Sequence, residues 1–149
     1  MRVNYINKNE VNNIYIHDSI FYGYQCDYNN RTISFFCENK PSGKKTYFKF
    51  NNVIFCSMQS CLFWGGGNNI IDLYVKENEI EKEQLIEIQK SNKVYHDFSR
   101  LLKEGAFFTV ELQINSGDTL TIICEDLDYN ILQWLYSAWR NSSGTSLFT

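Results

Sequence analysis

The sequence predicts an α+β fold built mainly from an antiparallel β-sheet of six or more strands. This sheet is expected to form a meander or a partly closed barrel or sandwich, with one long inserted helix and a C-terminal helix. Aromatic residues make up 16% of the 149 residues and only two alanines occur, which is typical of β-rich proteins. Several segments alternate apolar and polar residues with the two-residue period of a strand. Residues 79–104 instead are rich in Glu, Lys and Gln and have helical spacing.

The clearest hairpin is predicted within residues 11–39. Apolar side chains recur at alternate positions over residues 20–28 and again over 32–37. Asn29 and Asn30 lie between these segments and suit a two-residue type I′ turn, because asparagine tolerates positive φ. The turn predicts the cross-strand pairs Cys26 with Ile33, Tyr24 with Phe35 and Tyr22 with Cys37. Both apolar sets then lie on one face of the hairpin.

Three further strands are predicted in the middle of the chain, over residues 46–50, 53–63 and 70–76. A glycine-rich loop separates the last two. It is a candidate ligand loop formed by Trp64, Gly65, Gly66 and Gly67. The loop lacks the lysine of a P-loop and the spacing of a dinucleotide-binding turn, so a plain strand connection is the alternative.

Residues 79–104 predict the inserted helix. Apolar residues recur at helical spacing, so one helix is expected from about residue 80 to 103, closed by Gly105. Ser91 and Asn92 interrupt the apolar stripe, which leaves two helical segments as an alternative. Residues 85–88 also fit a short strand.

Residues 107–114 and 118–125 predict a second hairpin. The three-residue loop between them ends in Gly117, which suits the left-handed position of a turn with a G1 bulge. The predicted cross-strand pairs are Leu112 with Leu120, Val110 with Ile122 and Phe108 with Cys124. As in the first hairpin, the apolar side chains then share one face.

A final helix is predicted over residues 129–140, with Asp128 as its N-cap. One apolar stripe of this helix can pack on the sheet. Trp134 and Tyr136 lie off that stripe, and exposed aromatic side chains favour an interface. These two are therefore candidate partner-binding residues. Their burial under the long helix or a loop is the alternative.

Composition and charge restrict the class of protein. The length fits a single domain, 1–149, in which residues 141–149 form a flexible tail. A net charge of −3 with scattered Lys and Arg excludes a nucleic-acid footprint. No apolar run is as long as the about 20 residues that a helix needs to cross a bilayer. The first residues also lack the apolar core of a signal peptide. A cytoplasmic protein without a membrane partner is therefore expected.

Candidate metal-binding residues are few. Both histidines precede an aspartate, at His17-Asp18 and His96-Asp97, as in the metal-dependent HD phosphohydrolases. Zinc needs three or four ligands, and no third histidine is available. His17-Asp18 instead suits a corner that opens the next strand and is held by hydrogen bonds from side chain to backbone. No metal and no cofactor are expected.

The candidate nucleophiles and acidic residues also do not form a convincing catalytic site. Asp27 with Glu38 and Lys40 matches the residue types of PD-(D/E)xK nucleases, but the predicted register puts the two carboxylates at opposite ends of the hairpin. The five cysteines, an odd number without paired short spacings, are typical of buried apolar residues in a reducing compartment. An enzyme is therefore ranked third, as a metal-dependent hydrolase or nuclease.

Three short motifs occur in a familiar order along most of the chain: residues 17–19 (His-Asp-Ser), 64–65 (Trp-Gly) and 116–118 (Ser-Gly-Asp). In this order the chain resembles small uncharacterised proteins of Gram-positive bacteria, some of them grouped with toxin-neutralising immunity proteins. It departs from them by the long helix predicted over 80–103. The resemblance implies a cytoplasmic, non-enzymatic, β-rich binding protein, and it carries over no functional residues.

We therefore expect a small soluble non-enzymatic protein that binds a protein partner, either as an immunity-type neutraliser or as an interaction domain, with a homodimer as one form. The alternative is a small-molecule binding protein that uses an aromatic-lined sheet face.

Overall fold

Two antiparallel β-sheets form the body of the protein. The computed structural model describes residues 1–59, 67–77, 79–91 and 98–133. The strands are β1 (Arg2–Asn4), β2 (Ile20–Phe21), β3 (Gln25–Asp27), β4 (Thr32–Asn39), β5 (Lys44–Asn51), β6 (Phe55–Gln59), β7 (Ile70–Lys76), β8 (Phe108–Ile114), β9 (Thr119–Cys124) and β10 (Asp126–Gln133). The described residues also form a 3₁₀ helix (Lys8–Asn13) and two α-helices, α1 (Glu79–Ser91) and α2 (Ser99–Glu104). The prediction of a mainly antiparallel β fold is confirmed.

The sheets form a sandwich that is partly closed. Sheet A has the order β1-β10-β5-β4, with β2 and β3 both pairing with the far side of β4, and sheet B has the order β6-β9-β8-β7. The chain passes to sheet B between β5 and β6 and returns between β9 and β10. At this corner the Glu125 N–H donates to the Asn51 carbonyl (3.3 Å). Elsewhere Ile20 of β2 forms a bridge with Asn69, next to β7.

The main hydrophobic core lies between the two sheets. Sheet A contributes Phe35, Phe48 and Phe50, and the Phe35 ring stacks on the other two with centroids 4.8 and 5.9 Å apart. Leu112 and Leu120 lie opposite each other in sheet B and are also buried. Successive side chains of a strand point to opposite faces, so every second residue faces the other sheet. Burial of each such apolar side chain contributes about 1.5–3 kcal/mol, and this burial holds the sheets together.

Helices α1 and α2 cover part of the outer face of sheet B. Leu85 of α1 and Leu102 of α2 pack with Ile123 of β9 in a second apolar cluster. Gly105 has a left-handed backbone (φ 66°) and ends α2, as predicted.

The prediction of one long helix over 80–103 is wrong. Two separate helices occur, and Phe98, which directly precedes α2, has a non-helical backbone (φ −98°, ψ 9°). Serine and asparagine are weaker helix formers than the residues before them, and α1 ends at Ser91. Residues 85–88 lie inside α1, so the strand alternative is also wrong. Residues 92–97 lie outside the described part of the chain.

The second hairpin is confirmed in register and in turn. Strands β8 and β9 pair Leu112 with Leu120, Val110 with Ile122 and Phe108 with Cys124. Gly117 has φ 93°, and its N–H donates to the Ile114 carbonyl (2.9 Å). Strands β5 and β7 match the predictions for 46–50 and 70–76. Of the strand predicted over 53–63, the structure shows β6, and residues 60–63 lie outside the described residues.

The predicted type I′ turn is wrong. Strands β3 and β4 are joined by residues 28–31, and Arg31, not an asparagine, has positive φ (55°). The Asp27 carboxylate accepts hydrogen bonds from the backbone N–H (3.0 Å) and side-chain amide (2.7 Å) of Asn30. These bonds from Asn30 lower the pKa of Asp27. The aspartate thus closes the turn, which removes the need for two residues of positive φ.

The start of the predicted C-terminal helix is instead the strand β10. Asp128, the predicted N-cap, lies in register between Arg2 of β1 and Lys49 of β5. Leu127 is completely buried and Tyr129 packs against the core, so the apolar positions follow a two-residue period here. Pairing on both sides of the strand outweighs the helical spacing of the apolar residues. Residues 134–140 and the predicted tail 141–149 lie outside the described residues.

Candidate functional site

A β-bulge interrupts the predicted first hairpin. On β3, Cys26 pairs with Ile33 as predicted, but on β2 the partner of Cys37 is Phe21 rather than Tyr22. Residues 22–24 therefore lie opposite only two residues of β4, which is the residue count of a bulge. Gly23 at its centre has φ 126°, a conformation that L side chains rarely adopt.

The bulge exchanges the side chains that face the core. Phe21 is 5% exposed and makes an edge-to-face contact with Phe35, whereas Tyr22 is 51% exposed. The predicted pairing of Tyr22 with Cys37 is thus wrong by one position, and the same shift moves a tyrosine from the core to the outer face of sheet A.

On the outer face of sheet A, three side chains form an aromatic row: Tyr22, Phe36 and Tyr47. The Tyr22 and Phe36 rings lie 5.2 Å apart at 30°, and the Phe36 and Tyr47 rings lie 5.6 Å apart at 29°. Phe36 and Tyr47 are in register on β4 and β5, so the row runs across the strands. Such offset rings stabilise each other. Tyr22 and Tyr47 are exposed, and Phe36 between them is half-buried.

Charged residues flank the aromatic row. Lys45 and Lys49 lie two positions before and after Tyr47 and so share its face of β5. The Glu38 carboxylate accepts a hydrogen bond from the Tyr22 hydroxyl (2.8 Å), and the Lys45 Nζ lies 4.0 Å from it. The bond to Glu38 raises the pKa of Tyr22. Lys49 is exposed and forms no ion pair within the described residues.

An end cavity of about 520 Å³ adjoins the row at the bulge. It lies between the edge of sheet A and the turn of the second hairpin. Gly67, the described member of the predicted ligand loop, lines it with φ 106°. The other described lining residues are Phe21, Tyr22, Gly23, Tyr24, Met58, Asn68, Ile114, Ser116 and Asp118. No local pattern in the sequence predicts this cavity, because the cavity depends on how β2 approaches sheet B.

Several predicted site residues lie outside the described part of the chain. These are Trp134 and Tyr136 of the partner-binding prediction, and Trp64, Gly65 and Gly66 of the ligand loop. The last described residue of β10, Gln133, lies opposite Lys44.

His17-Asp18 lies in a turn shortly before β2, but among the described residues its side chains do not make the predicted hydrogen bonds to the backbone. Asp18 has φ 62°, its N–H donates to the Ile70 carbonyl (2.9 Å), and its carboxylate lies 3.0 Å from His17 Nδ1. Both side chains are exposed. His96-Asp97 lies outside the described residues. Among those described, no three His, Cys, Asp or Glu side chains come together as metal ligands, and Asp27 and Glu38 lie near opposite ends of β4.

A polar cluster lies on the outer face of sheet B. The Glu111 carboxylate accepts hydrogen bonds from the Tyr74 hydroxyl (2.5 Å) and Lys76 Nζ (2.7 Å), and Gln113 Nε2 donates to the Tyr74 hydroxyl (3.0 Å). Burial acts to raise the pKa of Glu111, but the bonds from Lys76 and Tyr74 outweigh it, so this pKa is below its usual value. The bond to Glu111 raises the pKa of Tyr74.

Glu111→Gln is expected to lower the free energy of unfolding by about 1–2 kcal/mol at neutral pH, because the charged hydrogen bonds become neutral. The folded-state pKa of Glu111 lies below the ordinary value of 4.5, so its contribution is present above pH 4.5 and is lost as pH falls through the folded pKa. The difference between parent and variant should therefore shrink below pH 4.5 in urea unfolding. A constant difference from pH 7 to pH 3 would contradict the charged state of Glu111.

The cysteines differ in exposure. Cys37 and Cys124 are buried, as predicted, whereas the prediction for Cys26 is wrong: it lies exposed on β3. Burial raises the pKa of Cys37 and of the partly buried Cys56 to about 11. Cys61 lies outside the described residues.

Cys26 is expected to react with a thiol reagent ahead of the other described cysteines, because its thiol is the accessible one and burial suppresses the thiolate of the others. Cys26→Ser should remove one equivalent from the fast phase in the folded protein. Cys37→Ser should leave the fast phase unchanged. A fast phase of undiminished amplitude in Cys26→Ser would contradict this assignment.

Gly23→Ala tests the bulge. The new Cβ has open space, so only the backbone conformation opposes it, and a loss of about 2 kcal/mol is expected. Gly43→Ala is the matched control: it also has open space, but its φ of 66° is an ordinary left-handed value that costs about 1 kcal/mol. Chemical denaturation measures both. Equal losses would indicate that the bulge does not depend on Gly23.

No protein family, no curated protein sequence and no solved structure matches this chain. Within the described residues, no helix is both long and apolar enough to cross a bilayer.

Proposed function

We propose that this chain is a non-enzymatic protein-binding module that contacts its partner through the aromatic row. The observation that carries this proposal is the row itself: three stacked rings on the outer face of sheet A, with Tyr22 and Tyr47 51% and 42% exposed. Tyrosine and phenylalanine are enriched at protein interfaces, where they bury a large area with few rotatable bonds.

The row has the rigidity that a binding surface needs. Phe36 lies on the central part of β4, which pairs on one side with β5 and on the other with β2 and β3. Hydrogen bonding to Glu38 fixes the hydroxyl end of Tyr22. Because these side chains are ordered before binding, less conformational entropy is lost when a partner covers them.

The charges beside the row specify the chemistry of the partner. Lys49 is exposed, lies opposite Asp128 in the register and forms no ion pair within the described residues, so a carboxylate of a partner can bind it. Lys45 lies on the same face next to Tyr47, and Glu38, 4.0 Å away, offsets part of its charge. We infer a protein segment that places aromatic or aliphatic side chains on the row and acidic residues against the two lysines. An immunity-type neutraliser of an acidic toxin surface is one form of such a module.

The non-enzymatic part of the proposal draws support from Glu111. Of the carboxylates described, it is one of the few that are buried, and both of its oxygens already accept hydrogen bonds from Tyr74 and Lys76. The lowered pKa of Glu111 and the raised pKa of Tyr74 make the first a weaker base and the second a weaker acid at neutral pH.

A peptide selection tests the proposal. A random peptide library is displayed on phage and selected on the parent protein, with counter-selection on Tyr47→Ala. We expect peptides rich in aromatic and acidic residues, which bind Tyr47→Ala at least about tenfold more weakly, as for a hot-spot truncation. Tyr28→Ala is the matched control, because Tyr28 is a strongly exposed tyrosine outside the row and should not affect binding.

Two results would contradict the proposal. The first is the absence of any enriched peptide that distinguishes the parent from Tyr47→Ala. The second is enrichment of peptides whose affinity falls equally in Tyr28→Ala. If instead small uncharged aromatic compounds compete for the row and peptides do not, the alternative of small-molecule binding on an aromatic sheet face replaces the proposal.

A further inference from the structure

We propose that the end cavity is a second binding site, which takes a small organic ammonium ion with an aromatic body. The carrying observation is the meeting of a buried carboxylate, Asp118, with the aromatic side chains Phe21, Tyr22 and Tyr24 in one cavity of about 520 Å³. The cavity shares Tyr22 with the aromatic row, but the inference does not rest on the proposed protein-binding function, because Asp118 and Phe21 do not belong to the row.

The carboxylate supplies the charge of the site. Asp118 is 6% exposed and follows the turn of the second hairpin, where Ser116 Oγ donates to its Oδ2 (2.8 Å). The turn is held independently by the pairing of Ile114 with Asp118 through their backbones (3.0 Å). A carboxylate in a protected cavity binds an ammonium group more strongly than one in water does, because solvent screens the pair less.

Apart from Ser116, Asn68 and two glycines, the remaining described lining is apolar or aromatic. Phe21 and Ile114 are buried, and Met58 on β6, opposite Leu120 of β9, packs against the core. Tyr22 and Tyr24 are partly exposed and border the cavity towards solvent. Aromatic faces attract cations, and the thioether of methionine makes favourable contacts with aromatic rings. The lining therefore favours an aromatic ligand body and disfavours an anion.

The bulge explains why the cavity is present. It turns Tyr22 outward and leaves Gly23 without a side chain where the cavity reaches the surface. Gly67, which also lines the cavity, has no side chain either, and the next residue, Asn68, donates from Nδ2 to the Phe21 carbonyl (2.8 Å). The volume lies within the range of small-molecule sites, which is about 300–1,000 Å³.

Calorimetric titration with three matched probes tests this site. The probes are 2-phenylethylammonium, the neutral 2-phenylethanol and the anion phenylacetate. The parent protein is expected to bind the ammonium about tenfold more tightly than the alcohol, which corresponds to one charge-assisted hydrogen bond. Phenylacetate should show no saturable binding.

Two variants and a control locate the binding. Asp118→Asn should reduce the preference for ammonium over alcohol to about onefold, because the group opposite the ammonium becomes neutral. Glu10→Gln makes the same charge change on an exposed residue and should keep the preference. Met58→Trp should weaken both the ammonium and the alcohol at least about tenfold by filling the cavity while Asp118 is retained. Thermal unfolding confirms that each variant is folded.

Three outcomes would overturn the assignment. They are equal affinity of the parent for ammonium and alcohol, an unchanged preference in folded Asp118→Asn, and binding that is insensitive to Met58→Trp. A lysine side chain of a protein carries the same ammonium group on an aliphatic stem. Tighter binding of N-acetyl-lysine amide than of 2-phenylethylammonium would therefore also contradict an aromatic amine. None of these results depends on whether the aromatic row binds a protein.

Discussion

Phe48→Ala is expected to lower the free energy of unfolding by about 3–5 kcal/mol, as other truncations of large core side chains do. Phe48 is 2% exposed and lies on β5, which pairs with β4 on one side and β10 on the other. Its ring stacks on Phe35 and on Tyr129, with centroids 4.8 and 6.3 Å away. Removing the ring leaves a cavity in the core. Because β5 is held by β4 on one side and β10 on the other, the backbone cannot close this cavity without moving the sheet.

Tyr47→Ala is the matched control for Phe48→Ala. The two residues are neighbours on β5, but Tyr47 points to the outer face and is 42% exposed, so its loss should cost only about 1 kcal/mol. Chemical denaturation of both variants measures the contrast. Equal destabilisation would mean that the aromatic row belongs to the folding core, and its assignment as a binding surface would then be wrong.

The two faces of sheet A therefore have different roles. The inward residues of β4 and β5 bury enough apolar surface to hold the sandwich, which leaves the outward rings available for contact with a partner. The bulge at Gly23 adds Tyr22 to the outward set, and bulges are over-represented beside functional sites. Alternation in the sequence alone would place Tyr22 on the core face, away from Phe36 and Tyr47, so it does not predict the aromatic row.

The second hairpin shows how far the sequence could predict the fold. Its apolar alternation and the glycine at Gly117 specify the same register, and the structure has that register. Both signals are local, and a shift by one residue would place Leu112 and Leu120 on the solvent side. Local pattern and turn chemistry therefore suffice when they agree.

The first hairpin shows where this reasoning fails. Tyr22 and Phe21 are both apolar enough for the core, so alternation cannot distinguish their two registers. The choice depends on Phe21 contacting Phe35 and on Asn68 binding the Phe21 carbonyl, and both interactions join residues distant in sequence. The end cavity and the aromatic row follow from this choice, so neither could be predicted from the pattern.

The helix prediction is wrong over residues 129–133 for a related reason. Ile131 and Leu132 fit a helical stripe with later apolar residues, but in β10 they point to opposite faces of sheet A. Eight residues of β10 are in register with β5. The spacing of apolar residues within the segment does not predict this pairing, because the partner strand is distant in sequence. A substitution in β10 can distinguish the two structures directly.

Asn130→Pro is expected to lower the free energy of unfolding by about 3 kcal/mol or more. The Tyr129 N–H donates to the Met1 carbonyl on the β1 side (2.9 Å), so alternation directs the N–H of Asn130 towards β5, where Tyr47 lies opposite. Proline removes that donor from the middle of the sheet. The Asn130 side chain is exposed, so Asn130→Ala should cost less than about 1 kcal/mol and serves as the control.

The predicted helix would give the opposite result. With Asp128 as N-cap, residue 130 would be the second helical position, where proline replaces an N–H that has no partner within the helix. Asn130→Pro would then be nearly neutral and close to Asn130→Ala. Urea unfolding of both variants therefore separates strand from helix by a difference of about 2–3 kcal/mol. A loss below 1 kcal/mol for the proline variant would contradict the pairing of β10 with β5, and with it the rigid backing of Tyr47 in the aromatic row.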